Sequence, residues 1–244
     1  MAIILRAWEE HTRAAVRHYW RTLDEQGNKQ KAGNADRGAR AAVTGGKQMM
    51  GFCAVVRQVL VDNGVQDVHI FVDAKLELPG YFRPTKNWDM LVVGGGSLIA
   101  ALEFKSQRGP SFGNNFNNRT EEAIGTAHDL WTAFREGAFG KNPRPWLGWV
   151  MLLENCPRST TPVKVAEPHF KVFPEFRGAS YAKRYELLLA RLVMEKLFDR
   201  AAFIMATDKQ GRRGVYTEPS EELGVQSFLA SLVGHAMAFQ ASRR

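Results

Sequence analysis

Three charged residues in the first half of the chain have the types and spacing of a metal-assisted hydrolytic site. Asp89 precedes one apolar run, and Glu103 and Lys105 stand two residues apart at the end of the next apolar run. Strand alternation directs Glu103 and Lys105 to one face of a sheet. Two carboxylates can hold a divalent cation, and a nearby lysine can orient a water as the ammonium or deprotonate it as the amine. The trio predicts phosphodiester hydrolysis.

A glycine turn predicts that these residues meet. The apolar runs 90–93 and 98–102 flank the turn Gly94–Ser97, which is typical of a β-hairpin. A hairpin closed at the glycines places the end of its second strand beside the start of its first, so Asp89 comes near Glu103. The run 98–102 is wholly apolar and predicts a central strand buried on both faces. Charged side chains at the end of such a buried strand need a partner of opposite charge, a hydrogen-bond partner or a role in function.

A second acid-x-Lys triplet, Asp73-Ala74-Lys75, leaves an alternative site. It ends an alternating run that is typical of a half-exposed strand. Either triplet could instead be an ordinary strand end with solvated charges. The expected burial of its strand favours Glu103-Phe104-Lys105.

Length, composition and net charge limit the number of domains and the kind of partner that we expect. The 244 residues, 45% of them hydrophobic, are enough for one large domain over 1–244. We expect an N-terminal helical part to about residue 65, a catalytic core at about 66–155 and a C-terminal helical part beyond it. The formal charge of +8 modestly favours a polyanionic partner.

The cysteines and the N-terminal segment indicate the cellular compartment of the protein. Cys53 and Cys156 lie far apart and have no CxxC neighbour, which argues against a zinc site or a disulfide framework. The segment Ala2–Leu5 is too short for a signal-peptide core, and no stretch resembles a membrane span. We therefore expect a cytoplasmic protein.

Periodicity predicts an α/β fold, with a mixed central sheet and helices on both faces. We expect helices over residues 7–26 and 51–63, one capped by Thr120, one from Ser180 to about Asp199, and a last one capped by Ser220. Expected strands are one from Val68, the hairpin, 146–153 and 201–206. The polar segment 27–47 should be a mobile loop with a short helix around 35–43. A strand, a helix and a further strand imply a parallel addition to the sheet.

The segment Gly109–Thr120 is rich in asparagine and should be irregular, because glycine and proline exclude regular structure. Asparagine reads adenine and arginine reads guanine through paired hydrogen bonds, so this loop could address base edges. It could equally be a surface turn, since asparagine is a common turn former.

Other catalytic motifs do not occur. The sequence has no GxSxG, the glycines of Gly94–Ser97 lack the lysine of a phosphate-binding loop, and the six histidines form neither an HExxH nor an HNH grouping. Three alternatives stay open: a structure-selective or homing-type nuclease with the same site but no hexamer specificity, a non-catalytic DNA-binding protein with a surface ion cluster, and a basic enzyme of unrelated chemistry.

Several longer runs carry a family resemblance. The runs are ELPGYFRPTKNWD at 77–89, EFKSQ at 103–107, GPSFGNNFNNRTEEAIG at 109–125 and FRGASYAKRYE at 176–186. They resemble type II restriction endonucleases of the XhoI kind, a group of the PD-(D/E)xK nucleases. Asp89 takes the place of the first acid of that motif, Glu103 the second and Lys105 the lysine. Trp88 stands where the motif has proline.

The resemblance implies a restriction-endonuclease-like core and a homodimer that binds double-stranded DNA. It implies cleavage of both strands of the palindrome CTCGAG after its first cytosine, which leaves 5′-phosphate overhangs. It also implies a cognate methyltransferase, which is not a physical partner.

We expect Mg²⁺ on Asp89, Glu103 and the carbonyl of Phe104, with Lys105 acting on the attacking water. Gln107 shares the face of Glu103 and could support that water or a phosphate, and Glu77 is a weaker candidate for a further carboxylate. Two groups are candidates for DNA contact: the loop residues Asn114, Asn115, Asn117, Asn118 and Arg119, and the basic residues Lys171, Arg177, Lys183 and Arg184.

Overall fold

A five-stranded mixed sheet forms the centre of the protein. The computed structural model describes residues 2–31 and 47–242. The strand order is β1-β4-β5-β6-β7, and two further strands form a separate antiparallel hairpin, β2-β3. The strands are β1 (Ile70–Phe71), β2 (Glu77–Pro79), β3 (Thr85–Asn87), β4 (Met90–Gly94), β5 (Ser97–Gln107), β6 (Trp146–Glu154) and β7 (Arg200–Ala206).

Helices cover both faces of the sheet, as predicted. They are α1 (Trp8–Lys31), α2 (Met50–Asp62), α3 (Phe112–Arg135), α4 (Pro157–Thr160), α5 (Tyr181–Met194), α6 (Asp208–Gly211) and α7 (Val225–Ala241). Helices α1, α2 and α7 share one apolar core with the sheet, and α3 and α5 share another. No described helix has the length and apolar character that crossing a membrane requires.

The predicted glycine hairpin is confirmed as β4-β5. Gly95 and Gly96 have φ of 56° and 73°, the left-handed region that glycine enters without steric cost. The strands are antiparallel, and Met90 lies opposite Leu102. Asp89 directly precedes Met90, and Glu103 directly follows Leu102. The antiparallel register therefore places Asp89 beside Glu103.

Strand β5 is the central strand, as its apolar sequence predicted. It pairs antiparallel with β4 and parallel with β6, and β6 pairs parallel with β7. Helix α3 makes the crossover from β5 to β6. Side chains alternate between the two faces of β5. Leu102 and Phe104 therefore point into the apolar core that the sheet shares with α1, α2 and α7. Glu103 and Lys105 consequently face the other layer, beneath α3.

The prediction of an irregular segment at Gly109–Thr120 is wrong for most of its length. Helix α3 begins at Phe112, so the asparagines lie in its first turns. Phe112 and Phe116 contact the aromatic rings of Tyr181 and Tyr185 on α5. This packing overrides the low helix propensity of asparagine and glycine. Thr120 is not a cap, because its hydroxyl donates to the Phe116 carbonyl at 2.9 Å.

Other boundaries also differ from expectation. Ser180 caps α5 as predicted, since its hydroxyl accepts from the Lys183 N–H at 3.2 Å, but the helix ends at Met194 rather than near Asp199. Ser220 precedes a short 3₁₀ turn, and α7 begins only after Gly224. Helix α1 extends to Lys31, and the short helix expected around 35–43 lies outside the described residues.

Candidate active site

The structure brings the three predicted residues together around one ammonium. The Lys105 Nζ lies 3.2 Å from the Asp89 Oδ2 and forms an ion pair with the Glu103 Oε2. Asp89 Oδ2 also accepts a hydrogen bond of 2.8 Å from the backbone N–H of Phe104. The hairpin register thus fixes the Asp89 carboxylate against the backbone of the strand that carries the other two residues.

The cluster has a buried floor and a more open side. The Glu103 side chain is 1% exposed and that of Lys105 14%, whereas that of Asp89 is 33% exposed. A reactant can therefore approach from the side of Asp89, while Glu103 stays screened from water. Low dielectric at the floor strengthens each charge interaction there.

Two charged residues of the cluster were missed by the sequence analysis. Lys86, on β3, forms an ion pair with the Glu103 Oε1. Glu122, on α3, places its Oε1 3.3 Å from the Lys105 Nζ and pairs through its other oxygen with Arg119. No local pattern marks either residue, because each arrives from a different element.

A buried aspartate on α3 fixes the turn of the hairpin that carries Lys86. The Asp129 carboxylate accepts from the backbone N–H groups of Tyr81 and Phe82 at 2.7 and 2.9 Å, and from the Arg83 Nε at 2.7 Å. Burial would raise the pKa of Asp129, but these donors outweigh it and hold the pKa below its usual range. The hairpin is thereby tied to the same helix that supplies Glu122.

Burial and neighbouring charges set the ionisation of the cluster. Burial raises the pKa of Glu103, against the opposing effect of Lys105 and Lys86. Burial alone would lower the pKa of Lys105, but Glu103, Asp89 and Glu122 together raise it above its ordinary value. For Glu122, the attraction of Lys105 and Arg119 outweighs burial and lowers the pKa. Lys105 is therefore a cation at neutral pH in this arrangement.

The two residues proposed as supports differ in their surroundings. The Gln107 amide donates to the Phe112 carbonyl at 3.1 Å and accepts from the Tyr185 hydroxyl, so it joins β5 to α3 and α5. Glu77 is exposed on β2, in register with Asn87. No hydrogen bond or ion pair of the described residues links Glu77 to the cluster. Asp73 and Lys75 are exposed and follow β1 outside any strand.

The candidate DNA contacts separate into different environments. Asn114, Asn117 and Asn118 are exposed and share one face of α3, while Asn115 is half-buried. Arg119 belongs to the charge cluster through its pair with Glu122.

The basic residues all have partners within the chain. Lys171 and Arg177 pair with Glu167 at 3.1 and 3.0 Å, and Lys183 pairs with Glu186 at 2.6 Å. Arg184 donates to the carbonyls of Ala179 and Val163. The charges of Lys171, Arg177 and Lys183 are therefore partly neutralised by carboxylates of the chain itself.

Comparison with known protein families shows which family the chain belongs to. The model of the family described as restriction endonuclease XhoI matches residues 28–218. The chain belongs to the XhoI restriction endonuclease family. This endonuclease is therefore a type II site-specific deoxyribonuclease, and its five-stranded sheet with flanking helices is a restriction-endonuclease-like core.

Curated relatives agree with the family match. The type II restriction enzyme BstVI of Geobacillus stearothermophilus is 52% identical over 85% of this chain and 95% of its own length. The type II restriction enzyme XhoI of Xanthomonas vasicola is 45% identical over 80% of this chain and 79% of its own. The type II restriction enzyme AbrI of Azospirillum brasilense is 53% identical over 70% and 78%. No solved structure matches the chain significantly.

The donor set of the endonuclease fits the divalent metal that type II restriction enzymes generally use. Asp89 and Glu103 supply two carboxylates bridged by one ammonium. The Glu103 Oε2 is buried and has no partner with hydrogen-bond geometry among the described residues. Within residues 2–31 and 47–242, no three or more His, Cys, Asp or Glu side chains are arranged so that all of them could hold one metal ion. Two carboxylates suffice for Mg²⁺, which keeps several of its waters.

Proposed function

We propose that this endonuclease cleaves both strands of DNA in a Mg²⁺-dependent reaction centred on Asp89, Glu103 and Lys105. The observation that carries the proposal is the Lys105 ammonium, which contacts both carboxylates at the open end of a buried charge cluster. Asp89 and Glu103 would hold the metal, with the backbone carbonyl of Phe104 as a third ligand. When bound, Mg²⁺ polarises the phosphate and lowers the pKa of a bound water.

The protein side chains supply orientation and charge. The three carboxylates around Lys105 favour its ammonium form, and its proposed role is to orient the attacking water and to stabilise charge on the pentavalent phosphorane. Glu122 also restrains the Lys105 ammonium, through its Oε1 at 3.3 Å. In-line attack breaks the bond from phosphorus to the 3′ oxygen and leaves a 5′-phosphate and a 3′-hydroxyl.

We propose the palindrome CTCGAG as the target, cut after its first cytosine, because the sequence runs that carry the family resemblance extend over the catalytic segment and α5. A palindrome read by identical subunits calls for a two-fold axis, so the active form would be a homodimer. A methyltransferase of the same specificity would protect the host DNA. The proposed location is the cytoplasm, where that DNA lies.

A plasmid digest tests the proposed function. With Mg²⁺, a plasmid that carries CTCGAG sites should give discrete fragments, and a matched plasmid with one base pair changed in each site should stay uncut. EDTA should prevent cleavage of the plasmid that carries the CTCGAG sites. A smear would indicate a nuclease of relaxed specificity, and retarded but intact DNA would indicate a non-catalytic DNA-binding protein.

Sedimentation of the protein on a cognate duplex tests the proposed homodimer. It should give two chains per duplex, whereas one chain per duplex would contradict the dimer.

We propose that the asparagine face of α3 reads bases. This helix also supplies Glu122 and Arg119 to the cluster, so its exposed asparagines lie on an element that contacts the proposed catalytic lysine. Asn117→Ala and Asn118→Ala should each lose about 1–3 kcal/mol of discrimination at one base pair, with nonspecific binding unchanged. Competition binding with singly substituted duplexes measures this loss.

The control for the asparagine variants is Gln226→Ala, which removes an exposed amide from α7 on the other face of the sheet. It should leave both affinity and discrimination unchanged. If the asparagine variants weaken all sequences alike and flatten the salt dependence, the face contacts phosphates only. Wild-type discrimination in both variants would indicate that the basic stretch Lys164–Arg184 reads the bases instead.

A further inference from the structure

Glu103 is held by two ammonium groups rather than one. Lys105, two residues away on β5, contacts the Oε2, and Lys86 of the β2-β3 hairpin contacts the Oε1. The Lys86 side chain is 13% exposed, its Nζ donates to the Asn87 carbonyl at 2.8 Å, and it lies 4.7 Å from the centre of the Trp88 ring. Lys86 is therefore a positioned member of the site and not a solvated surface charge.

The charges of the cluster sum to zero without a metal. Asp89, Glu103 and Glu122 contribute three negative charges, and Lys86, Lys105 and Arg119 contribute three positive charges. One Mg²⁺ would bring the total to +2. A phosphodiester with its attacking hydroxide carries −2, so the loaded cluster balances the charge of the reacting groups only if both lysines stay nearby.

Lys86 and a metal ion compete for the same carboxylate. The Oε1 of Glu103 already accepts the Lys86 ammonium, and a dication bound to that carboxylate would repel a cation in direct contact with it. The Lys105 ammonium has alternative carboxylates in Asp89 and Glu122, but Lys86 pairs with Glu103 alone among the described acidic groups. Of the two ammonium groups on Glu103, Lys86 is thus the one with no second carboxylate in contact once a metal binds there.

We propose that Lys86 is a further catalytic residue, which leaves Glu103 when the metal binds and then contacts a nonbridging oxygen of the scissile phosphate. This inference rests on the proposed Mg²⁺-dependent cleavage. Lysine suits such a move because its ammonium is a point charge on a flexible four-carbon chain. The hairpin backbone need not shift, since Asp129 fixes the turn through three hydrogen bonds. The released ammonium stabilises negative charge on the phosphorane, and no proton or electron is transferred to or from Lys86.

The test compares Lys86→Gln with wild type and with Lys141→Gln, which changes an exposed lysine in the loop before β6. In single-turnover cleavage at saturating Mg²⁺, Lys86→Gln should be slower by about 10²-fold or more, because one donor to the developing charge is lost. In the protein without DNA, Mn²⁺ titration followed by electron paramagnetic resonance should show affinity increased by about tenfold, because a competing cation is removed. Lys141→Gln should match wild type in both measurements.

Three outcomes would overturn the inference. Cleavage by Lys86→Gln at the wild-type rate would exclude a catalytic role and leave the proposed function standing. Slow cleavage combined with weaker Mn²⁺ binding would show that Lys86 only supports Glu103 structurally. Slow cleavage with unchanged Mn²⁺ affinity would exclude the competition. Failure of the wild-type protein to cleave in Mg²⁺ would instead refute the proposed function.

A second variant distinguishes loss of the ammonium from a folding defect. Lys86→Met keeps an unbranched side chain beside Trp88, and circular dichroism in EDTA shows whether each variant folds. Lys86→Met should show the same slow cleavage and the same tighter Mn²⁺ binding as Lys86→Gln. Lys86→Arg keeps the positive charge and should bind Mn²⁺ as weakly as wild type. Tighter Mn²⁺ binding by Lys86→Arg would contradict the competition.

Discussion

Asp89→Ala and Glu103→Ala are each expected to abolish DNA cleavage, because each removes one of the two carboxylates that would hold the metal. Binding to a cognate duplex in Ca²⁺ should survive in Asp89→Ala, whose side chain is partly exposed. Cleavage is measured under single-turnover conditions in Mg²⁺, and binding by electrophoretic mobility shift. Glu77→Ala is the matched control, since it removes an exposed carboxylate outside the cluster.

Glu103→Ala carries a separate structural risk. It leaves the ammonium groups of Lys86 and Lys105 in a buried site without their shared carboxylate. Glu103→Gln keeps the shape and one hydrogen-bonding oxygen, so a folded Glu103→Gln protein without cleavage isolates the chemical role. Near wild-type cleavage by Asp89→Ala or by Glu103→Gln would exclude that residue as a metal ligand.

Lys105→Ala should reduce the rate of cleavage by about 10²-fold or more, as expected for the loss of a group positioned to act on the attacking water. Both metal-binding carboxylates remain in this variant, so metal affinity should change far less than the rate. Single-turnover kinetics across a Mg²⁺ titration separates the two quantities. The control is Lys209→Ala, an exposed lysine on α6. A Lys105→Ala enzyme with a normal rate at saturating Mg²⁺ would remove Lys105 from the mechanism.

The sequence predicted the parts of the site that depend on short-range geometry. The glycines at 95 and 96 determine where β4 turns into β5, and strand alternation then puts Glu103 and Lys105 on one face. Asp89 follows from the same hairpin register. Each of these relations involves neighbours within one supersecondary unit, so pattern alone was sufficient.

Lys86 and Glu122 could not be predicted in the same way. Lys86 reaches Glu103 only because the β2-β3 hairpin packs beside β5, and Glu122 reaches Lys105 only because α3 crosses above it. The start of α3 was wrong for a related reason: the contacts of Phe112 and Phe116 with α5 stabilise a helix that local propensity disfavours. Tertiary packing decided all three features.

Because Glu103 and Lys105 lie on β5, we expect the proposed catalytic strand to stay intact until the whole domain unfolds. Strand β5 is hydrogen-bonded to neighbours on both sides, and such central strands exchange their amide hydrogens only when the whole domain unfolds. Lys86 lies instead on a two-stranded hairpin outside the main sheet, an element that can open locally. Warming should therefore first loosen the hairpin while the metal-binding strand persists, and irreversible thermal inactivation should coincide with global unfolding.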